Sequence, residues 1–302
     1  LCHGTTAYTA TRRVGCRRTA HYGSLPQDTA IRRASTRCDA VICERIDKPS
    51  DVVFYKGDLY VCSQDNDTLR VFRDVSTLTS SDAPDVTLDN AGSGLDNPVG
   101  MAIVDDILFV TSRDNDTVRI FNDVATLADG DAPDVVLDNA GSLLEEPLRP
   151  YVFENALHVA SDAPGNGTVT AFSPADGLSN NQAPNFVLDP SSFLDDPIAA
   201  TVVGGRLFIS NNDEDTFGIV AYEDPGSIAS GDLPDIVLDK PVQDGIAEMA
   251  GILGSLFYIT DDFQAVHCFL NAAKIASGQL PDLILSDVNL TDPQSLVVRE
   301  RP

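Results

Sequence analysis

The stretch Leu95–Leu143, LDNPVGMAIVDDILFVTSRDNDTVRIFNDVATLADGDAPDVVLDNAGSL, decides the fold. It holds four short runs rich in β-branched and aromatic residues: VGMAIV (99–104), LFVTS from Leu108, TVRIF ending at Phe121 and DVVL from Asp134. Asp, Asn, Gly and Pro separate them, which is the pattern of strands joined by turns. The RDND turn (113–116) supplies the local side-chain hydrogen bonds of a tight hairpin. Pro133 removes a backbone donor just ahead of the last strand, where only an outer edge strand tolerates it.

The stretch recurs. The proline that opens it stands at Pro49, Pro98, Pro147 and Pro197; Ile246 takes its place in a fifth unit, and Pro293 reopens the pattern. An aromatic closes the third strand at Phe72, Phe121, Phe172, Tyr222 and Phe269, and a second proline recurs at Pro84, Pro133, Pro184, Pro234 and Pro281. Four antiparallel strands in each unit of roughly 49 residues is the blade of a β-propeller. A lone blade cannot bury both faces, which is why its first two strands are apolar on both sides rather than alternating. The units run 46–94, 95–143, 144–193, 194–245 and 246–289, with a partial one at 290–298 (LTDPQSLVV). The expected fold is therefore all-β: a propeller of six blades, the last a composite of strands from both ends of the chain, with a five-bladed ring as the alternative.

Residues 1–45 stand outside the pattern. They carry eight arginines, four of the six cysteines (Cys2, Cys16, Cys38, Cys43) and a local charge of +5, against −26 for the whole chain. The remainder thus holds −31. The cysteine spacing matches no zinc pattern. The segment reads as a leader or as an irregular part of the closing blade, with residues 46–302 as the propeller. No signal peptide is legible, and Leu1 in place of Met reads as a processed or truncated start.

Acid in this chain means 38 Asp and 8 Glu; base means 16 Arg and 4 Lys. Such a field repels phosphate backbones and anionic membranes, so nucleic acid is a poor partner. No apolar run approaches the 18 residues of a spanning helix. An acid-rich, lysine-poor surface suits an extracellular, periplasmic or cell-envelope setting, and a monomer is expected.

In a propeller the turns between second and third strands share one face with the links from fourth to first strands. Here both sets are acidic. Asp65, Asp114, Asp162, Asp213 and Asp261 recur around the first set and are the candidate ligands for Ca²⁺, which takes six to eight oxygens. The plain alternative is that they are turn formers repeated by duplication; no D-x-D-x-D-G loop is present. His158 stands where other blades have Tyr60, Phe109, Phe208 and Phe257, which favours a packed histidine. Together with Asn211, Asn212, Asp261 and Asp262 it marks where later units depart from the first two, and these five are the candidate ligand-binding residues. His267 replaces Arg70 and Arg119 and is expected at the surface. Cys62 and Cys268 read as buried free thiols. Ser63, Ser112, Ser161 and Ser210 recur at the end of the second strand, and recurrence argues for structure rather than a lone nucleophile.

The run PVGMAI followed by LFVTSRDNDTVRIF resembles the NHL-repeat and YVTN-type β-propellers, through Pro98, Gly100, Leu108, Val110, Asn115, Arg119, Ile120 and Phe121. The likeness extends over about 250 residues and departs from the NHL form in the long connector with APD and the LDNAGSG link. It implies the fold; propellers of this kind include enzymes, binding modules and scaffolds. Lyase-type members imply a three-histidine metal set, which His158 and His267 do not complete. Lactonase-type members imply a Glu/Asn/Asp metal site in the funnel, for which Asn211 and Asn212 beside Asp213 are candidates; the matching inner-strand Glu is not evident, with Glu154 and Glu248 the only candidates for it. The function expected is a non-catalytic protein whose acidic face binds a protein or small molecule. The alternative is a metal-dependent, lactonase-like hydrolase or lyase.

Overall fold

The computed structural model describes residues 46–79, 82–162, 167–212, 218–238, 246–260 and 265–286. They form a five-bladed β-propeller of five four-stranded antiparallel sheets, in which each blade is a simple up-and-down meander. The sixth, composite blade expected from the ends falls on residues outside this description. The first blade consists of β1 (Pro49–Tyr55), β2 (Asp58–Ser63), β3 (Thr68–Phe72) and β4 (Val86–Leu88). The second consists of β5 (Pro98–Val104), β6 (Ile107–Ser112), β7 (Thr117–Phe121) and β8 (Val135–Asp138). β9 (Pro147–Phe153), β10 (Ala156–Ser161), β11 (Thr168–Phe172) and β12 (Phe186–Leu188) make the third. The fourth is β13 (Pro197–Val203), β14 (Arg206–Asn211), β15 (Ile219–Tyr222) and β16 (Ile236–Leu238). The fifth is β17 (Ile246–Ile252), β18 (Ser255–Thr260), β19 (Ala265–Phe269) and β20 (Leu283–Ser286).

The first strands pack in succession, β1 on β5, β5 on β9, β9 on β13 and β13 on β17, so they are the inner strands. One apolar cluster fills each joint between neighbouring blades. Tyr60, Leu69 and Val86 of the first blade meet Met101, Leu108 and Phe121 of the second, for example, and equivalent clusters occupy the next three joints. The same leucine of the second strand is wholly buried in blades two to five (Leu108, Leu157, Leu207, Leu256).

Polar side chains that recur for the fold's sake fasten the joints. Asp67 and Asp116, the last residues of the turns after β2 and β6, accept hydrogen bonds from the backbone N–H of Asn97 and Glu146 in the next blade, at 2.9 and 2.8 Å. A hydrogen bond to a charged acceptor contributes about 1.5–3 kcal/mol. The LDNAGS links are capped helical turns: Asp89 and Asp138 accept from the N–H of Gly92 and Gly141, as an N-cap does. Gly92 lies so close to the backbone of Gly130 that a Cβ would fall 2.0 Å from its carbonyl oxygen, which is why the link needs glycine there.

The outer strands of the first four blades are also clamped by the long connector of the following blade. The Gly130 N–H donates to the Thr87 carbonyl while Asp129 accepts from the Thr87 N–H. Asn180 and Asn181 do the same to Val136, Ser230 and Gly231 to Val187, and Ser277 and Gly278 to Val237. The exposed edge that a β-sheet must otherwise protect is thus covered. Among the described residues no helix is long and apolar enough to cross a membrane.

Candidate functional site

The turns after the second strands and the links into the first strands meet on one face, and the repeat places two residues of each of the first four blades there. One precedes the inner-strand proline: Lys48, Asn97, Glu146 and Asp196, with φ of 47°, 49°, 46° and 46°. Proline disfavours the right-handed helical region for the residue before it, and this left-handed conformation costs a non-glycine residue about 1–3 kcal/mol. The other follows the second strand: Gln64, Arg113, Asp162 and Asn212. Its N–H donates to the carbonyl of the first at 3.1, 3.1, 3.2 and 3.0 Å, so the two are pinned together in four blades.

The chemistry changes while the backbone does not. The Arg113 guanidinium donates twice to Glu146 of the next blade, through Nε at 3.1 Å and through Nη2, and Nη2 lies 3.6 Å from Asp162. One blade further on, the corresponding partners are both acids, Asp162 and Asp196, which share a side-chain hydrogen bond. Burial pushes the Asp162 carboxyl up to about 7; the Asp196 hydrogen bond and charge add to this, and Arg113 opposes it. Burial and a neighbouring acid both favour the neutral carboxyl, so Asp162 keeps its proton to near neutrality.

The five expected Ca²⁺ ligands do not share one register. Asp65 and Asp114 stand two places after the second strand, whereas Asp162 stands one place after it, in register with Arg113. Asp65 is 56% exposed and 3.8 Å from Lys48; Asp114 accepts from Asn97 Nδ2 at 2.8 Å. Asp213, Asp261 and Asp262 lie outside the described residues. Among the described residues no three of His, Cys, Asp and Glu gather as a metal-holding group.

The other candidates have separate settings. Asn212 sits on the acidic face, pinned to Asp196. Asn211 is fully buried: its carboxamide accepts from the Asp195 N–H and donates to the Phe193 carbonyl. Ser63 and Ser112 fasten Asp47 and Asp96 in the same way, so Asn211 is the fourth blade's version of that latch. Ser210, expected to belong with those serines, instead bonds the backbone of Ala199 across the blade. His158 is 3% exposed, 5.9 Å from the Phe186 ring, and burial lowers it to about 4, so it is neutral at physiological pH. His267, expected at the surface, is 4% exposed and stacked on Tyr258 at 4.7 Å. Cys62 and Cys268 are buried free thiols. Glu154 sits in the turn between first and second strands, on the opposite face.

Four residues of the site escaped the sequence reading. Arg113 and Glu146 were hidden within the turn chemistry, although the residue before the inner proline changes from blade to blade. Asp51 and Arg149 are charges in otherwise apolar inner strands, two places after the proline, where Gly100 and Ala199 stand in blades two and four. Their side chains, 11% and 16% exposed, form an ion pair at 3.4 Å. Asp51 also accepts from the N–H of Met101 at 2.8 Å.

No family model matches this chain, and no curated protein does. Solved structures do. A chain in a nidogen/laminin complex is similar over 82% of this chain and 82% of that one, at 12% identity and a TM-score of 0.55. A computationally designed protein is similar over 84% of this chain at 13% identity and a TM-score of 0.52; this chain spans 66% of that protein's length, just under two thirds. Identities this low speak for the propeller fold alone.

Proposed function

We propose that the protein is a non-catalytic binding module whose acidic face takes a cationic ligand or the basic patch of a protein partner. The observation that carries this reading is the Asp162–Asp196 pair. Two carboxyls from different blades are held together at a place where the preceding joint has an arginine–glutamate ion pair. A duplicated turn former gains nothing from that arrangement, because like charges at short range destabilise the fold. An ammonium or guanidinium seated between them removes the repulsion, while Glu146 stays paired with Arg113. Perturbed carboxyls cluster at functional sites for this reason. The overall charge of −26 draws such a ligand in. The resemblance to NHL-repeat and YVTN-type propellers is compatible with this role, and the acid-rich surface supports an extracellular or cell-envelope setting.

The experiment is calorimetric titration of the full chain at pH 8 and low salt, with a lysine-rich peptide and, separately, with Ca²⁺. Saturable peptide binding is expected, weakened about tenfold or more, equivalent to about 1.4 kcal/mol, by Asp196→Asn and unchanged by His158→Phe. Equal binding by the Asp196→Asn variant would sink the assignment, and saturable Ca²⁺ binding without peptide binding would replace the cationic ligand by the metal.

A further inference from the structure

The five blades have four filled joints. Apolar clusters join blades one and two, two and three, three and four, and four and five. Among the described residues no equivalent packing joins β17 to β1. The flank of the fifth blade that faces away from the fourth is correspondingly open. In the second strand, Tyr60, Phe109, His158 and Phe208 are at most 3% exposed, whereas Phe257 in β18 is only half-buried. In the third strand, Leu69, Val118, Val169 and Ile219 are at most 2% exposed, whereas Val266 is half-buried. At the outer strand, Val86, Phe186 and Ile236 are 4–9% exposed and Val135 is half-buried, but Leu283 is 47% exposed. Ile284, the counterpart of the four clamped residues, is 55% exposed and has no clamp among the described residues. An apolar face of this kind on every other blade is covered, so this one marks an interaction surface.

We propose that residues 290–298 of the same chain dock on this flank, as the inner strand of each later blade docks on the blade before it. Three observations select this occupant. The chain leaves β20 at Ser286 and continues to residue 302, so the segment is tethered beside the surface. LTDPQSLVV repeats the opening of the unit, with Pro293 at the place of Pro49, Pro98, Pro147 and Pro197. The link length fits as well: residues 89–97, 139–146, 189–196 and 239–245 separate the outer strand of one blade from the inner strand of the next, and residues 287–292 continue that series. In this register Leu296 stands where Met101 and Met249 stand. Met101 lies in one cluster with Tyr60, and Met249 in one with Phe208. Leu296 therefore seats against Phe257. A tethered segment also outcompetes a second copy, because its effective concentration is of order millimolar.

The test is hydroxyl-radical footprinting of the full chain, with light scattering to establish its mass. Exposed Phe54 and Phe193 and buried Phe208 serve as internal standards. In the monomer Phe257 should be labelled at a rate near that of Phe208. Leu296→Asp should raise it several-fold towards Phe54 and Phe193, and Leu296→Met should not. Labelling of Phe257 at the Phe54 rate in the unaltered chain would overturn the proposal. So would protection indifferent to Leu296→Asp, or protection that disappears on dilution together with a dimer mass, which would assign the flank to a second copy. If Leu296→Asp unfolds the chain, Phe208 labelling rises too. The Phe257→Cys/Leu296→Cys chain then decides: a cross-linked peptide pair within the monomer supports the docking, and its absence under mild oxidation overturns it.

Discussion

Arg149 Nη1 lies 3.4 Å from Asp51 Oδ1, although the two residues belong to blades that are not neighbours. The pair passes over Gly100 of the intervening blade and ties the first three inner strands together, with Asp51 also holding the Met101 N–H. Removing one partner of a buried pair leaves the other charge uncompensated, at about 3–5 kcal/mol. Arg149→Met should therefore destabilise the protein by that order, read from urea unfolding. Adding Asp51→Ala should recover at least half of the loss. Simple addition of the two losses would show that the pair is not coupled.

Gly100 permits that crossing. A Cβ there would lie 2.4 Å from the Leu148 carbonyl oxygen and 3.1 Å from the Arg149 Cα. Backbone cannot yield as a flexible side chain does, so Gly100→Ala should cost about 1–3 kcal/mol as overpacking. Gly57, whose position is open, has nothing within 4 Å of a Cβ but a φ of +97°, so its substitution is strained by backbone conformation alone. Thermal melting of Gly100→Ala should show the loss without any change in the acidic face's binding.

The acid pair makes stability depend on pH with a defined sign. Asp162 is raised to about 7 in the folded protein, against about 3.9 when unfolded. The folded state therefore binds more protons between those values. The associated stability is complete below about pH 4 and is lost as pH rises through 7. Asp162 is only half-buried, so after discounting for solvent the expected size is about 1–2 kcal/mol. Asp162→Asn should be more stable than the unaltered protein at pH 8 and should flatten the slope between pH 4 and 7, measured by denaturation across that range.

His158 contributes the opposite slope. Burial lowers it to about 4, below its unfolded value of about 6.5. The unfolded chain binds the extra proton, so stability is complete above pH 6.5 and is lost as pH falls towards 4, by up to about 3 kcal/mol. His158→Phe, the residue of blades two and four, should abolish this acid sensitivity. Unchanged acid unfolding would show that the imidazole is not desolvated as described.

The blades were legible in the sequence because proline, the closing aromatic and the second proline recur at nearly constant spacing, and each has a backbone reason to do so. The site was legible only in part. Asp162 was read as one member of a ring, but the register of β10 against β11 places it with Arg113. That offset depends on strand pairing, which turn residues do not encode. Asn211 looked like a ligand because it breaks the serine series; in three dimensions it performs the serine's task. His267 was expected outside because arginines occupy its place, yet it stacks on Tyr258, which lies in the joint with the fourth blade. Arg119 itself is half-buried, with Nε donating to Thr117, and burial lowers its affinity for the proton.

The most direct measurement is the number of protons released when a lysine-rich peptide binds at pH 6, obtained from titrations in buffers of different ionisation enthalpy. With Asp162 raised to about 7, seating a cation on the pair should expel about one proton per site from the full chain and measurably fewer from Asp196→Asn, where burial alone still holds the Asp162 proton. Binding with no proton release, or with the same release from Asp196→Asn, would contradict the assignment of the acid pair as the ligand site.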